Sequence, residues 1–176
     1  MAKTRLQKYS VQEKLNKMDM DIIDITATLT PDGTAGDLMF DTTEIPNAVS
    51  VNGGSGIIQS VVAIVTDNAT DASGDGANIT GDFYVVITSD SSSIGTPSDE
   101  MGARTTTRAV LDGVCAVIPV TTVIDHGYFG VFGKDGIGAI VKAAEGTKSL
   151  YAYGITNSTN DYNAATITLR LGFIKD

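Results

Sequence analysis

The stretch IIQSVVAIVTD, residues 57–67, decides how this sequence is read. It is almost continuous in Ile and Val, whose branched Cβ atoms crowd a helix and fit a pleated strand. Gly-rich segments bound it on both sides, VNGGSG at 51–56 and NATDASGDGANITGD at 68–82. A short apolar run between turn signals reads as a strand. Its lack of polar alternation predicts a central strand buried on both faces.

Working outward, the same period of two recurs. In DIIDITATLT (21–30), Ile23, Ile25, Ala27 and Leu29 alternate with Asp24, Thr26 and Thr28, which predicts a half-buried strand ended by the turn PDG at 31–33. GDLMFDTTEIPNAV (36–49) holds shorter apolar pieces, and FYVVITSD (83–90) is the next strand. SSSIGTPSDEMGARTTTR (91–108) is a long polar connection of the kind that serves a function or an interface. AVLDGVCAVIPVTTV (109–123) is one strand, or two broken near Pro119, a residue that favours an edge or a bulge. YFGVFGKDGIGAIVKAA (128–144) reads as a hairpin turned by GKDG. In SLYAYGITN (149–157), Tyr151 and Tyr153 share one face, and in ATITLRLGFIKD (165–176), Ile167, Leu169, Leu171 and Phe173 share another. About eight strands without a long helix predict an all-β fold, an antiparallel β-sandwich or jelly roll, over residues 21–176.

Composition agrees: 176 residues, 42% hydrophobic, 19 glycines, no tryptophan. That is enough for one domain with a core. The charge is uneven. The opening MAKTRLQKYSVQEKLNK sets five cations against Glu13, so these seventeen residues carry +4 and the rest −13 of a net −9. Residues 1–20 therefore read as an N-terminal arm, extended or partly helical, contacting neighbouring chains through Lys3, Arg5, Leu6, Lys8, Tyr9, Lys14, Leu15, Lys17 and Met18. Extended, such an arm reaches on the order of 60–70 Å. A pI near 4.4 argues against nucleic acid as a partner of the body. No run approaches a membrane span, and no apolar h-region follows the basic start. Synthesis in the cytosol is the expectation.

Chemistry is sparse. His126 is the single histidine, next to Asp125, but neighbours on a strand point to opposite faces. No nucleophile elbow G-x-S-x-G is present. One cysteine, Cys115, excludes an intrachain disulfide and, with one histidine, a zinc site within one chain. In DASGDGANITGD, Asp71, Ser73, Asp75 and Asp82 fall at calcium-loop spacing, but the Glu at the twelfth position is missing, and a solvated loop explains the same residues. Arg104 and Arg108, the only basic pair in the body, and Tyr151 with Tyr153 are candidate inter-subunit contacts; the tyrosines also suit core packing or, less well, a sugar.

Two segments carry a resemblance. GDLMFDTTEIPNAVSVNGGSGIIQSVVAIVTD and AIVKAAEGTKSLYAYGITNSTNDYNAATITLRLGFIKD resemble the start and end of virion proteins of tailed bacteriophages, with a Gly-Asp entry, an I-x-N-A-V piece and a closing strand of type LTLRLGF. The resemblance implies a non-enzymatic capsid decoration or cement protein, a homotrimer bound to the major capsid protein on the capsid surface and assembled in host cytoplasm. It implies no cofactor and no catalytic residue. A tail, neck or fibre component, or a carbohydrate or host-surface binding module, is the alternative.

Overall fold

A computed structural model describes residues 19–29, 34–66, 81–95, 112–125, 129–157 and 166–175. Among these are nine strands: β1 (Asp19–Thr28), β2 (Leu38–Ile45), β3 (Ser55–Thr66), β4 (Phe83–Thr88), β5 (Val114–Asp125), β6 (Phe129–Lys134), β7 (Ala139–Lys142), β8 (Leu150–Thr156) and β9 (Thr166–Lys175). All pairings are antiparallel, so the fold is all-β.

The pairings nest. β4 pairs β5, β3 pairs β6, β2 pairs β8 and β1 pairs β9, as if the chain were one long hairpin. Rolling that hairpin adds the pairs β3–β9 and β4–β8. The result is two facing four-stranded sheets, β1-β9-β3-β6 and β2-β8-β4-β5. This is the strand order of a jelly roll. β5 belongs to both sheets: residues 114–120 pair β4, and 121–125 pair β6 with a register shift between Thr122 and Ile124. A strand that bends between sheets is how such a corner is turned. Pro119 sits on the half of β5 that pairs β4 on one side only, where a missing N–H is tolerated.

The core lies between the sheets. Ile58, Val61, Ala63 and Val65 of β3 meet Val85 and Ile87 of β4, and the rings of Phe83 and Phe132 cross the gap edge to face at 5.0 Å. Ile167, Leu169, Leu171 and Phe173 of β9 are all buried, in agreement with the alternation in their sequence. In β1, Ile25 and Leu29 are buried and Ile23 and Ala27 pack against the core.

Two expectations are corrected. The apolar run of β3 is not buried on both faces: Ile57, Val62 and Ile64 are only half-buried and turn away from the core. And 128–144 is not a hairpin. β6 and β7 both pair with β3, β6 against its C-terminal half and β7 against Ser55–Ile58. They run in the same direction, as one strand interrupted by residues 135–138. Gly136 and Gly138 take φ of 59° and 64°, which kinks the chain without reversing it. The Ile137 amide donates to Gln59 O at 3.1 Å, so the segment stays fastened to β3 where that strand carries a bulge.

Candidate interaction surface

The outer faces of the two sheets differ. On β2-β8-β4-β5, a second small cluster joins Leu38, Val86 and Tyr153 beneath Ile94. The segment Ser89–Gly95 delivers Ile94 and is latched to β2. A register shift in β2 around Asp41 and Thr42 turns these residues toward the segment. The Asp41 carboxylate accepts from the Ile94 amide (2.8 Å) and the Ser93 hydroxyl, while the Thr42 hydroxyl donates to Ser92 O (2.9 Å). Partial burial pushes the Asp41 carboxyl up. The hydrogen bonds from Ser93, Ile94 and Thr42 outweigh it and hold the group below its ordinary value.

The outer face of β1-β9-β3-β6 carries no such cover among the described residues. Cross-strand register aligns Met20 with Ile174, Ile174 with Ile57, and Ile57 with Ile140. Paired residues share a face, so these four form one apolar row across β1, β9, β3 and β7. Met20 is 70% and Ile140 73% exposed, and Ile22 beside the row is 67% exposed. Beyond it, Arg170 and Asp24 form a two-bond ion pair at 3.0 Å, and then Ile64, Val131 and Ile124 continue the apolar surface. Between the two apolar bands lies a concavity of about 380 Å³ lined by Ser60, Val62, Val123, Gly133 and Asp135 among others. Of the eight large apolar side chains most exposed among the described residues, six lie on this one face: Met20, Ile22, Val123, Ile124, Phe129 and Ile140. Contiguous apolar surface of this kind marks an interaction site.

The sequence-derived candidates fare differently. The arm residues Lys3, Arg5, Leu6, Lys8, Tyr9, Lys14, Leu15, Lys17 and Met18 lie outside the described residues, as do Arg104, Arg108, His126, Asp71, Ser73 and Asp75. Asp82, the remaining member of the calcium pattern, accepts from the Thr122 amide at 3.2 Å through its carboxylate. Among the described residues no group of three His, Cys, Asp or Glu side chains could hold a metal ion. Tyr151 is half-buried, but Tyr153 is 2% exposed, sealed under Ile94 rather than open to a partner or a sugar. Burial alone pushes its phenol up. The tyrosine pair is therefore split between packing and surface, because a segment distant in sequence covers one end of β8.

Sequence reasoning passed over Ile94 and Asp41. The available signal was a lone Ile inside the polar run SDSSSIG. It also passed over the outward set Met20, Ile22, Ile57 and Ile140, whose signal was apolar pairs such as Ile22–Ile23 and Ile57–Ile58 where an alternating strand needs only one apolar residue. Several carboxylates are engaged: Asp37 by the Thr34 amide and hydroxyl and Asp90 by the Ser92 amide, both nearby in the chain, and Glu44 by the Ser149 hydroxyl, 105 residues away.

No family model matches this chain, and no curated protein matches it. Among solved structures, a chain of Desmodium yellow mottle tymovirus is similar with a TM-score of 0.29 and 11% identity, over 91% of this chain and 89% of that one. A chain of Israeli acute paralysis virus, from a full particle heated to 63 degrees, is similar with a TM-score of 0.30 and 12% identity, over 99% of this chain and 81% of that one. Superpositions of this quality carry no argument about function.

Proposed function

We propose that this protein is a structural component of a phage virion, a capsid decoration or cement protein that binds the shell and stabilises it through contacts between subunits. The observation that carries this reading is the apolar outer face of β1-β9-β3-β6, which no other described residue covers. A monomer that kept such a face in water would forgo its burial, about 25 cal/mol per Å². A protein built to sit among neighbours buries it. The jelly roll suits the role because its nested pairings make a rigid unit, and the fold recurs in viral shell domains as well as in lectins and cupins. The resemblance of residues 36–67 and 139–176 to tailed-phage virion proteins points the same way.

In this reading the basic arm, residues 1–20, grips a neighbouring chain. Its cations are drawn to acidic surface, and Leu6, Tyr9, Leu15 and Met18 offset the entropy of ordering it. The protein is a homotrimer on the outside of the capsid, contacting the major capsid protein, with no cofactor and no catalytic function. The carbohydrate-module reading loses half of its aromatic pair, since Tyr153 is 2% exposed.

Quantitative mass spectrometry of purified particles tests the proposal. A copy number comparable with that of the shell protein is expected. A handful of copies per particle would assign the chain to a tail, neck or fibre instead, and absence from particles would overturn the reading. Deleting residues 2–18 is expected to leave the sandwich folded and to strip it from the particle.

A further inference from the structure

We propose that Ser89–Gly95 is an acid-released strap: protonation of Asp41 frees it from β2 and uncovers Leu38, Val86 and Tyr153 while the two sheets stay folded.

The attachment of this segment is separable from the fold. Ile94 belongs to the small cluster with Leu38, Val86 and Tyr153, not to the core between the sheets. It is 4% exposed and covers three residues that are 1–2% exposed. β4 ends at Thr88, so no strand pairing runs through the segment. Its N-terminal end is pinned where the Ser89 amide donates to Gly113 O at 2.9 Å. From Ser92 to Ile94, the hydrogen bonds to other elements run to Asp41 and Thr42 of β2. A segment held by one buried side chain and a few hydrogen bonds opens ahead of the global transition.

Asp41 supplies most of the polar hold. One carboxylate oxygen accepts from the Ile94 amide at 2.8 Å, the other from the Ser93 hydroxyl. An ionised carboxylate accepts both bonds strongly; a protonated one is the weaker acceptor and makes one oxygen a donor. The ionisable groups around it are few among the described residues. Asp90, in the strap, accepts from the Ser92 amide at 2.8 Å. Tyr153 lies beneath, and its phenol is neutral throughout the acid range. Glu44, further along β2, is engaged by the Ser149 hydroxyl. Partial burial raises the Asp41 carboxyl, and the bonds from Ser93, Ile94 and Thr42 carry it below 3.8. The Ser92 hydroxyl and amide lower Asp90 as well, but those bonds shape the strap from within and do not fasten it to β2.

The closed strap therefore prefers ionised Asp41. It is held in full above the ordinary value of 3.8 and loosens as pH falls through the lower pKa of the closed state. Each unit between the two changes the opening equilibrium about tenfold. Opening enlarges an apolar surface already begun. Val86 pairs with Tyr153 on one side and on the other with Val117, which is 57% exposed.

Hydroxyl-radical footprinting of the full-length chain at pH 6 and pH 3, mapped by mass spectrometry, tests this. Oxidation of Tyr153 is expected to rise at pH 3 while Phe83 and Phe132 of the main core stay protected. Asp41→Asn, which has no carboxyl to protonate, should show the same Tyr153 oxidation at both pH values; Asp41→Ser serves if that variant does not fold. Asp90→Asn should keep the wild-type response, and Ile94→Ala should expose Tyr153 at both pH values. Tyr153 equally protected at both pH values in wild type, Tyr153 exposed only together with Phe83 and Phe132, or a pH response that survives in the Asp41 variant would each overturn the proposal.

Discussion

Replacing Gly154 by alanine inserts one methyl group where the jelly roll leaves least room. Gly154 lies on β8 opposite Phe40 of β2, and the Phe40 ring passes over it. A Cβ at 154 would stand 2.3 Å from Phe40 Cε1 and 2.6 Å from Cδ1. Ordinary contact begins at 3.4 Å, so the ring edge must retreat by about 1.1 Å. Phe40 is 1% exposed and part of the main core, so it cannot swing into water. Overpacking of this kind costs about 2–3 kcal/mol, which for a chain of this length lowers the melting temperature by roughly 5–10 °C. Differential scanning calorimetry measures it. The double variant Phe40→Leu/Gly154→Ala separates steric cause from helix-like or strand propensity. Leucine vacates the ring position, so the double variant should be less destabilised than the sum of its parts by at least about 1 kcal/mol. Strict additivity, or a Gly154→Ala protein as stable as wild type, would refute the packing argument. Gly172→Ala offers a contrast: its Cβ would meet the Ser60 hydroxyl at 2.4 Å, a small group able to rotate away, so its cost should be the lower of the two.

Other expectations follow from the second sheet and the surface. Ile94→Ala should destabilise by about 2 kcal/mol, and limited proteolysis should then cut within residues 89–95 first, because the anchor over Tyr153 is gone. Asp41→Asn should cost about 1 kcal/mol after allowing for its partial exposure. Since the folded Asp41 carboxyl titrates below its ordinary 3.8, its contribution is present above that value and is lost as pH falls through the folded pKa. Melting temperatures between pH 3 and pH 7 should therefore fall more steeply at the acid end for wild type than for Asp41→Asn. Arg170→Ala should leave the melting temperature unchanged, as both it and Asp24 are about half exposed. A chelator should not shift the melting temperature; a clear drop would revive the calcium pattern of Asp71, Ser73, Asp75 and Asp82.

Much of the fold was legible because strands write their burial in alternate residues. β9 shows this best: four of its apolar side chains face the core as their spacing requires. The kink at 135–138 was not legible, because two glycines with a charged pair before them suit a reversal and a bulge equally well. The partner that chose between them was β3, which lies more than seventy residues earlier and offers Gln59 O to the Ile137 amide. Which of its candidate uses Tyr153 takes was not legible for a similar reason. A period of two assigns a side chain to a face, and only a distant segment decides whether that face is wet.

By itself, then, the order of residues determined the class of element, the inward set on each strand, the turn chemistry and the charge contrast between leader and body, all of which depend on near neighbours in the chain. The tertiary structure alone decided the nesting of β1 through β9, the burial of Tyr153 under Ile94, and the alignment of Met20, Ile174, Ile57 and Ile140 into one outward apolar row. Those features depend on hydrogen-bond register between strands far apart in sequence, and register is a property of the assembled sheet rather than of any strand within it.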